Sequence, residues 1–239
     1  VRRRVGVPAL DLGERGSFDA DGVNPTCVIE WNDRLYLYYV GYERLADAPY
    51  SLLTGIAVSD DGGESFRRLS TDPLLAPTEH ERFFRTAAFV RKEGARWRMW
   101  YIGGGEWMTE NDHTYPIYAL KHLASDDPLK WPGAPETLMD PDRERGEIGF
   151  GRPWVERRDD LYVMNLSVRR TSGYGLVSAT STEGMAWQLG ESLVDPGPEE
   201  WDAEMVCYGA SFESNGRRYL LYNGNRFGRT GFGIAIQEP

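Results

Sequence analysis

The feature that most constrains this chain is a repeat. An apolar run, a tight turn, an aromatic strand and a shorter third strand recur four times, at intervals of roughly sixty residues. The first copy runs through Val23–Glu30, a turn at Trp31–Arg34, Leu35–Gly41 and Gly55–Ser59. The second takes Phe84–Val90, a turn at Glu93–Ala95, Trp97–Gly103 and Tyr118–Ser125. The third takes Gly151–Val155, Arg158–Asp160, Leu161–Leu166 and Gly175–Ser181. The fourth holds Trp201–Tyr208, a turn at Ser214–Gly216, Tyr219–Asn223 and Phe232–Ile236. Apolar and polar residues alternate with period two along these runs, and no amphipathic helix stands out.

Three of the third strands end alike: a serine, an acidic residue two positions on, then an aromatic after a short gap. These are Ser59–Asp61–Phe66, Ser125–Asp127–Trp131 and Ser181–Glu183–Trp187. The small and acidic residues make a tight turn, and the aromatic packs back on its own unit. A lone four-stranded sheet cannot bury both faces, so such units stack around an axis. The reading is an all-β chain, a β-propeller of four-stranded antiparallel blades occupying residues 1–239 as one domain. A β-sandwich also shows regularly spaced strands, but the internal period favours the propeller. Residues 1–12 are expected to hold one short strand, the tail of an earlier blade.

Composition narrows the partners. With 37 acidic against 27 basic residues and a formal charge of -10, the chain lacks the concentrated positive surface that a nucleic-acid backbone requires. No apolar run approaches a membrane span, and Val1–Arg4 leads into no secretory core. Cys27 and Cys207 each lie in an apolar run and read as buried reduced thiols, which suits a cytoplasmic protein. Three histidines without ligand spacing argue against a metal site, and no cofactor is expected.

Several stretches carry a family likeness. They are the three strand ends, Arg98–Tyr101 (Arg-Met-Trp-Tyr), the leads Asp21-Gly-Val-Asn-Pro and Gly151-Arg-Pro-Trp-Val, and the elements Trp201-Asp-Ala-Glu-Met and Tyr222-Asn-Gly-Asn-Arg-Phe-Gly. On these the chain resembles the glycosidase-type five-bladed propellers, which include arabinanase- and levansucrase-like glycoside hydrolases and related mannoside phosphorylases. The resemblance implies five blades where four complete units are legible. Either the first blade is incomplete, or the ring closes with four. It also implies a first-blade acid serving as base or nucleophile, and no counterpart lies upstream of Asp11. Asp21 matches the family's second-blade Asp, which orients and tunes the acid, and Glu81 falls near the general acid of the third.

Blades present the residues just before their inner strands to a shared funnel. Those positions hold Asp19 and Asp21, Glu79 and Glu81, Glu144 and Glu147, and Asp202 and Glu204. Cleavage of a glycosidic bond needs two carboxyl groups, one protonated and one ionised. Crowded carboxylates raise one another's pKa values, which suits the acid. The candidate catalytic residues are therefore Asp21, Glu81, Glu147 and Asp202. The competing reading is that such acids cap backbone groups or, for Asp202 and Glu204, tie Trp201 in place.

Arg85 and Arg152 occupy equivalent inner-strand positions and would bind an anion bidentately unless each pairs with a neighbouring glutamate. Trp107, in an expected loop over 104–114, and Trp201 are candidate sugar-stacking residues, with Glu204 and Asn223 as further binding candidates. A carbohydrate or glycosylated small molecule is the expected partner. The alternatives are a phosphorylase acting on a glycoside, and a non-catalytic propeller that binds a sugar or a protein.

Overall fold

A computed structural model describes residues 6–198 and 200–237. Strand dominates. Among the described residues the only helical pieces are a 3-10 turn at Arg143–Arg145 and one turn, α1 (Asn225–Gly228), with Arg226 and Phe227 off helical geometry. By internal contacts the chain divides into two compact units. The first takes Val1–Gly105 with Leu123–Pro135, and the second takes Glu106–His122 with Glu136–Pro239.

In the first unit β1 (Gly22–Trp31), β2 (Arg34–Glu43) and β3 (Ser51–Ser59) form an antiparallel meander, with β4 (Arg67–Arg68) against β3. A parallel bridge at Leu52 and Leu53 joins β3 to β5 (Phe84–Glu93), which pairs with β6 (Arg96–Glu110). Alternation decides what is buried. Cys27, Ile29, Tyr36, Tyr38, Ile56, Val58, Val90, Trp97, Met99 and Tyr101 share one core with Trp131. Phe18, Leu37, Tyr39, Leu53 and Ala57 form another.

In the second unit β7 (His113–Ser125) carries β8 (Glu136–Met139) on one edge and touches β9 (Glu147–Arg158) at Tyr118 and Gly149. The meander β9, β10 (Leu161–Arg170), β11 (Gly173–Ser181) and β12 (Gln188–Val194) follows. A separate three-stranded sheet holds β13 (Cys207–Ser214), β14 (Arg217–Asn223) and β15 (Phe232–Ile236). Leu176, Val206 and Tyr222 pack there with Trp201 and Leu220.

The repeat is thus visible within each unit as antiparallel groups of strands. The strand-end serines act as expected of turn formers. Each hydroxyl accepts the backbone N–H two residues on: Asp61 at 3.3 Å, Asp127 at 3.1 Å and Glu183 at 3.4 Å.

Three expectations need correction. Of residues 1–12, those from 6 onward form no strand, and the first five lie outside the described residues. The first copy's fourth strand, expected over Phe66–Leu69, is only Arg67–Arg68. The loop expected over 104–114 is a hairpin: β6 and β7 run on through Trp107 and Tyr115, closed by Asn111 and Asp112 at φ 49° and 61°. Two left-handed residues are what a tight hairpin turn requires, and Asn and Asp tolerate that region better than most side chains.

One glycine is fixed by packing. Gly55 lies across from Tyr39, and a Cβ there would sit 2.2 Å from the tyrosine ring. Gly55→Ala should therefore cost roughly 1–3 kcal/mol by overpacking. A denaturant midpoint unchanged from the parent chain would show that the ring has room to move.

Candidate functional site

The acids before the inner strands are built on a common plan. Asp19 is buried, and its Oδ2 accepts from the Tyr39 hydroxyl at 2.9 Å and from Arg68 Nε at 2.7 Å. Glu81 is buried, accepts from the Tyr101 hydroxyl at 2.9 Å and pairs with Arg85 Nε at 2.6 Å. Asp202 is buried and accepts from the Tyr222 hydroxyl at 3.2 Å. In each case the tyrosine stands 20 residues after the acid. Burial first, then the facing carboxylate, pushes the Tyr39 and Tyr101 phenols well up. Burial and Asp202 likewise raise Tyr222.

The third copy departs from this plan. Twenty residues after Glu147 stands Ser167, whose Oγ instead accepts the Tyr208 N–H at 2.8 Å. Glu147 is buried, its Oε2 accepts the Asp142 N–H at 3.1 Å, and its Oε1 lies 3.5 Å from Arg170. No phenol holds it among the described hydrogen bonds.

Asp21 is different again. It is exposed, its N–H donates to the Tyr42 carbonyl at 3.0 Å, and its carboxylate accepts the Arg44 N–H at 2.9 Å. These two bonds bracket Glu43, which the sequence reading passed over. Partial burial, and then the charge of Asp21, raise the Glu43 pKa above the ordinary carboxylate value. Beside them the Tyr42 and Tyr50 rings lie 5.3 Å apart, and Tyr50 meets Phe84 at 6.0 Å. The sequence signal for Glu43 was weak, because it ends an aromatic strand and looks like a solvated terminus.

The inner strands share one more device. Each has a register shift, and three place a non-glycine residue in the left-handed region: Ala87 at φ 54°, Arg152 at 38° and Tyr208 at 59°. Bulges of this kind re-aim side chains and concentrate near functional sites. Arg152 is half-buried next to Cys207, whose thiol burial pushes up to about 12. Both cysteines are buried, and neither is in a disulfide.

Of the two arginines read as an anion clamp, Arg85 is committed to Glu81, to the Ala76 carbonyl at 2.8 Å and to the Tyr101 ring at 5.7 Å. Trp201 stacks on Tyr222 at 5.7 Å, and its carbonyl accepts from Asn225 and Thr230. Glu204 is exposed and donates its N–H to Asn225 Oδ1 at 2.8 Å, while Asn223 donates to the Phe227 carbonyl at 3.2 Å. Trp107 is half-buried in β6. Among the described residues no three His, Cys, Asp or Glu side chains come together as a metal site, and no helix is long and apolar enough to cross a membrane.

No family model matches the chain. A solved structure described as a glycoside hydrolase superposes with a TM-score of 0.73 at 20% identity, over 95% of this chain and 72% of that one. The endo-arabinase of Bacteroides thetaiotaomicron VPI-5482 superposes with a TM-score of 0.67 at 17% identity, over 95% and 79%. The fold is thus that of the propeller-type glycoside hydrolases. In sequence, the uncharacterized protein Rv1502 of Mycobacterium tuberculosis (strain ATCC 25618 / H37Rv) is 33% identical over 236 residues, 97% of this chain and 76% of that protein. At that identity and coverage, the chain belongs to the same family as Rv1502.

Proposed function

We propose that this protein is a carbohydrate-active enzyme that cleaves or transfers a glycosidic bond by carboxyl chemistry, within a single propeller of residues 1–239. The observation that carries this reading is the pairing of Asp21 with Glu43 on a glycoside-hydrolase fold. Departure of a sugar oxygen needs a proton donor that is still protonated near neutral pH. Partial burial and then the charge of Asp21 raise the Glu43 pKa, the direction an acid role requires, so Glu43 acts as the acid and Asp21 tunes it. Tyr42 and Tyr50 flank the pair with the flat apolar surface a sugar ring needs.

Glu81 and Asp202 are each engaged by a tyrosine hydroxyl, and Glu147 carries no such bond, so Glu147 is the first of the three to test as a reacting carboxylate. Two buried thiols outside any disulfide accord with a reducing, cytoplasmic setting.

The test is a titration beside a turnover assay. Asp21→Asn removes the anion but not the burial, so the Glu43 carboxyl should titrate at lower pH than in the parent, followed by carbon NMR. Turnover of arabino-, xylo- and mannosides should fall in Asp21→Asn and in Glu147→Gln. Parent-level turnover in both variants would remove the acid–base proposal, and sugar binding without any turnover by the parent would favour a binding protein.

A further inference from the structure

We infer that residues 224–231 form a carbohydrate-stacking platform, in which the open face of Phe227 receives the apolar face of a sugar ring. This rests on the carbohydrate reading above and adds a place and a mode of contact that the carboxylates do not supply.

Phe227 is 53% exposed. Lone exposed apolar residues are ordinary on a protein surface, but this one is held out by construction. Arg226 and Phe227 stand successively at φ 53° and 61°. Neither is a residue that visits the left-handed region readily, and consecutive examples persist only where the surroundings over-determine them.

Those surroundings are present. Asn225 accepts the Glu204 and Met205 N–H groups at 2.8 and 3.0 Å and donates to the Glu200 carbonyl at 2.8 Å. Thr230 donates to the Trp201 carbonyl at 2.8 Å, and Asn223 holds the Phe227 carbonyl. Gly224 and Gly231 close the loop with a backbone bond of 3.1 Å.

The ring is backed as well as aimed. Tyr208 stacks beneath it at 6.3 Å and 19°, and Tyr174 meets it edge-on at 5.9 Å. Tyr208 is itself the left-handed residue of its bulge, pinned by Ser167. Two strained positions from separate segments therefore converge to support one aromatic face and leave the other open. A π face carries negative charge density, which suits the weakly positive C–H bonds on one side of a sugar ring. The exposed Arg226 and Arg229 flank it, where hydroxyl groups at the ring's rim would meet donors.

The experiment titrates the full chain with arabinotriose, xylotriose and mannotriose in a calorimeter. The parent is expected to bind at least one. Phe227→Ala and Phe227→Leu should weaken that binding by about two- to tenfold, with Phe227→Trp retaining it, since only the last keeps a π face. Near-UV circular dichroism of the variants monitors the Tyr208 and Tyr174 packing. Parent-level affinity in Phe227→Ala overturns the platform while leaving the carbohydrate reading intact. Equal weakening in Phe227→Trp also overturns it. A parent that binds none of the three sugars and turns over none of their aryl glycosides overturns both.

Discussion

Arg85→Ala is expected to lower stability by about 3–5 kcal/mol, the cost of stranding a buried carboxylate. Glu81 and Arg85 side chains are 3% and 9% exposed and only 2.6 Å apart. Without the guanidinium, Glu81 keeps the Tyr101 hydroxyl and loses its countercharge. The melting temperature should drop by roughly 6–20 °C, given the usual conversion for a chain of this length. The double variant Glu81→Gln with Arg85→Met should recover most of the loss, because removing both charges also removes the desolvation cost. A loss under about 1 kcal/mol in the single variant would mean that the pair behaves as a wet surface contact.

Glu43→Gln should reduce kcat by about 10²–10⁴-fold on a disaccharide, the usual contribution of a positioned acid. The size of the loss should track the leaving group. A dinitrophenyl glycoside departs without a proton and should be turned over almost as well as by the parent. The pH dependence has a definite sign. Glu43 is raised above the ordinary carboxylate value, so the parent's activity should fall as pH rises through the Glu43 pKa, and that limb should vanish in Glu43→Gln. Stability follows the same sign. A raised carboxyl contributes stability below its unfolded pKa and loses it as pH rises through its folded one. At neutral pH the glutamine variant should thus be at least as stable as the parent, which separates lost chemistry from lost folding. Equal losses on both leaving groups would remove Glu43 from the acid role.

Much of the architecture was legible in the chain because it is written in period-two alternation and in turn residues, both local signals. The strand-end serines could be read as turns, since their bonds reach no further than five residues on. The site was less legible because its partners are distant in numbering. The tyrosines that hold Asp19, Glu81 and Asp202 lie one hairpin away, and only their constant spacing of 20 hinted at the bond. Arg85 was as easily an anion ligand as a partner of Glu81 until geometry placed it against that glutamate. The segment over 104–114 misled for a different reason: its two leading glycines suit a loop, whereas the β-favouring side chains beyond them extend the hairpin. Phe227 left no trace, because nothing in a glycine-rich stretch says which residue will be forced into a left-handed turn.

The short sheet of β13, β14 and β15 has a dynamic corollary. With β14 in the middle, β15 is hydrogen-bonded along one side only among the described residues, and Phe232, Ile234 and Ile236 show 68%, 57% and 53% exposure on alternate positions. Its amide protons should accordingly split into two classes on transfer to heavy water. Those pointing toward β14 should exchange slowly, and those in between within the dead time of the measurement.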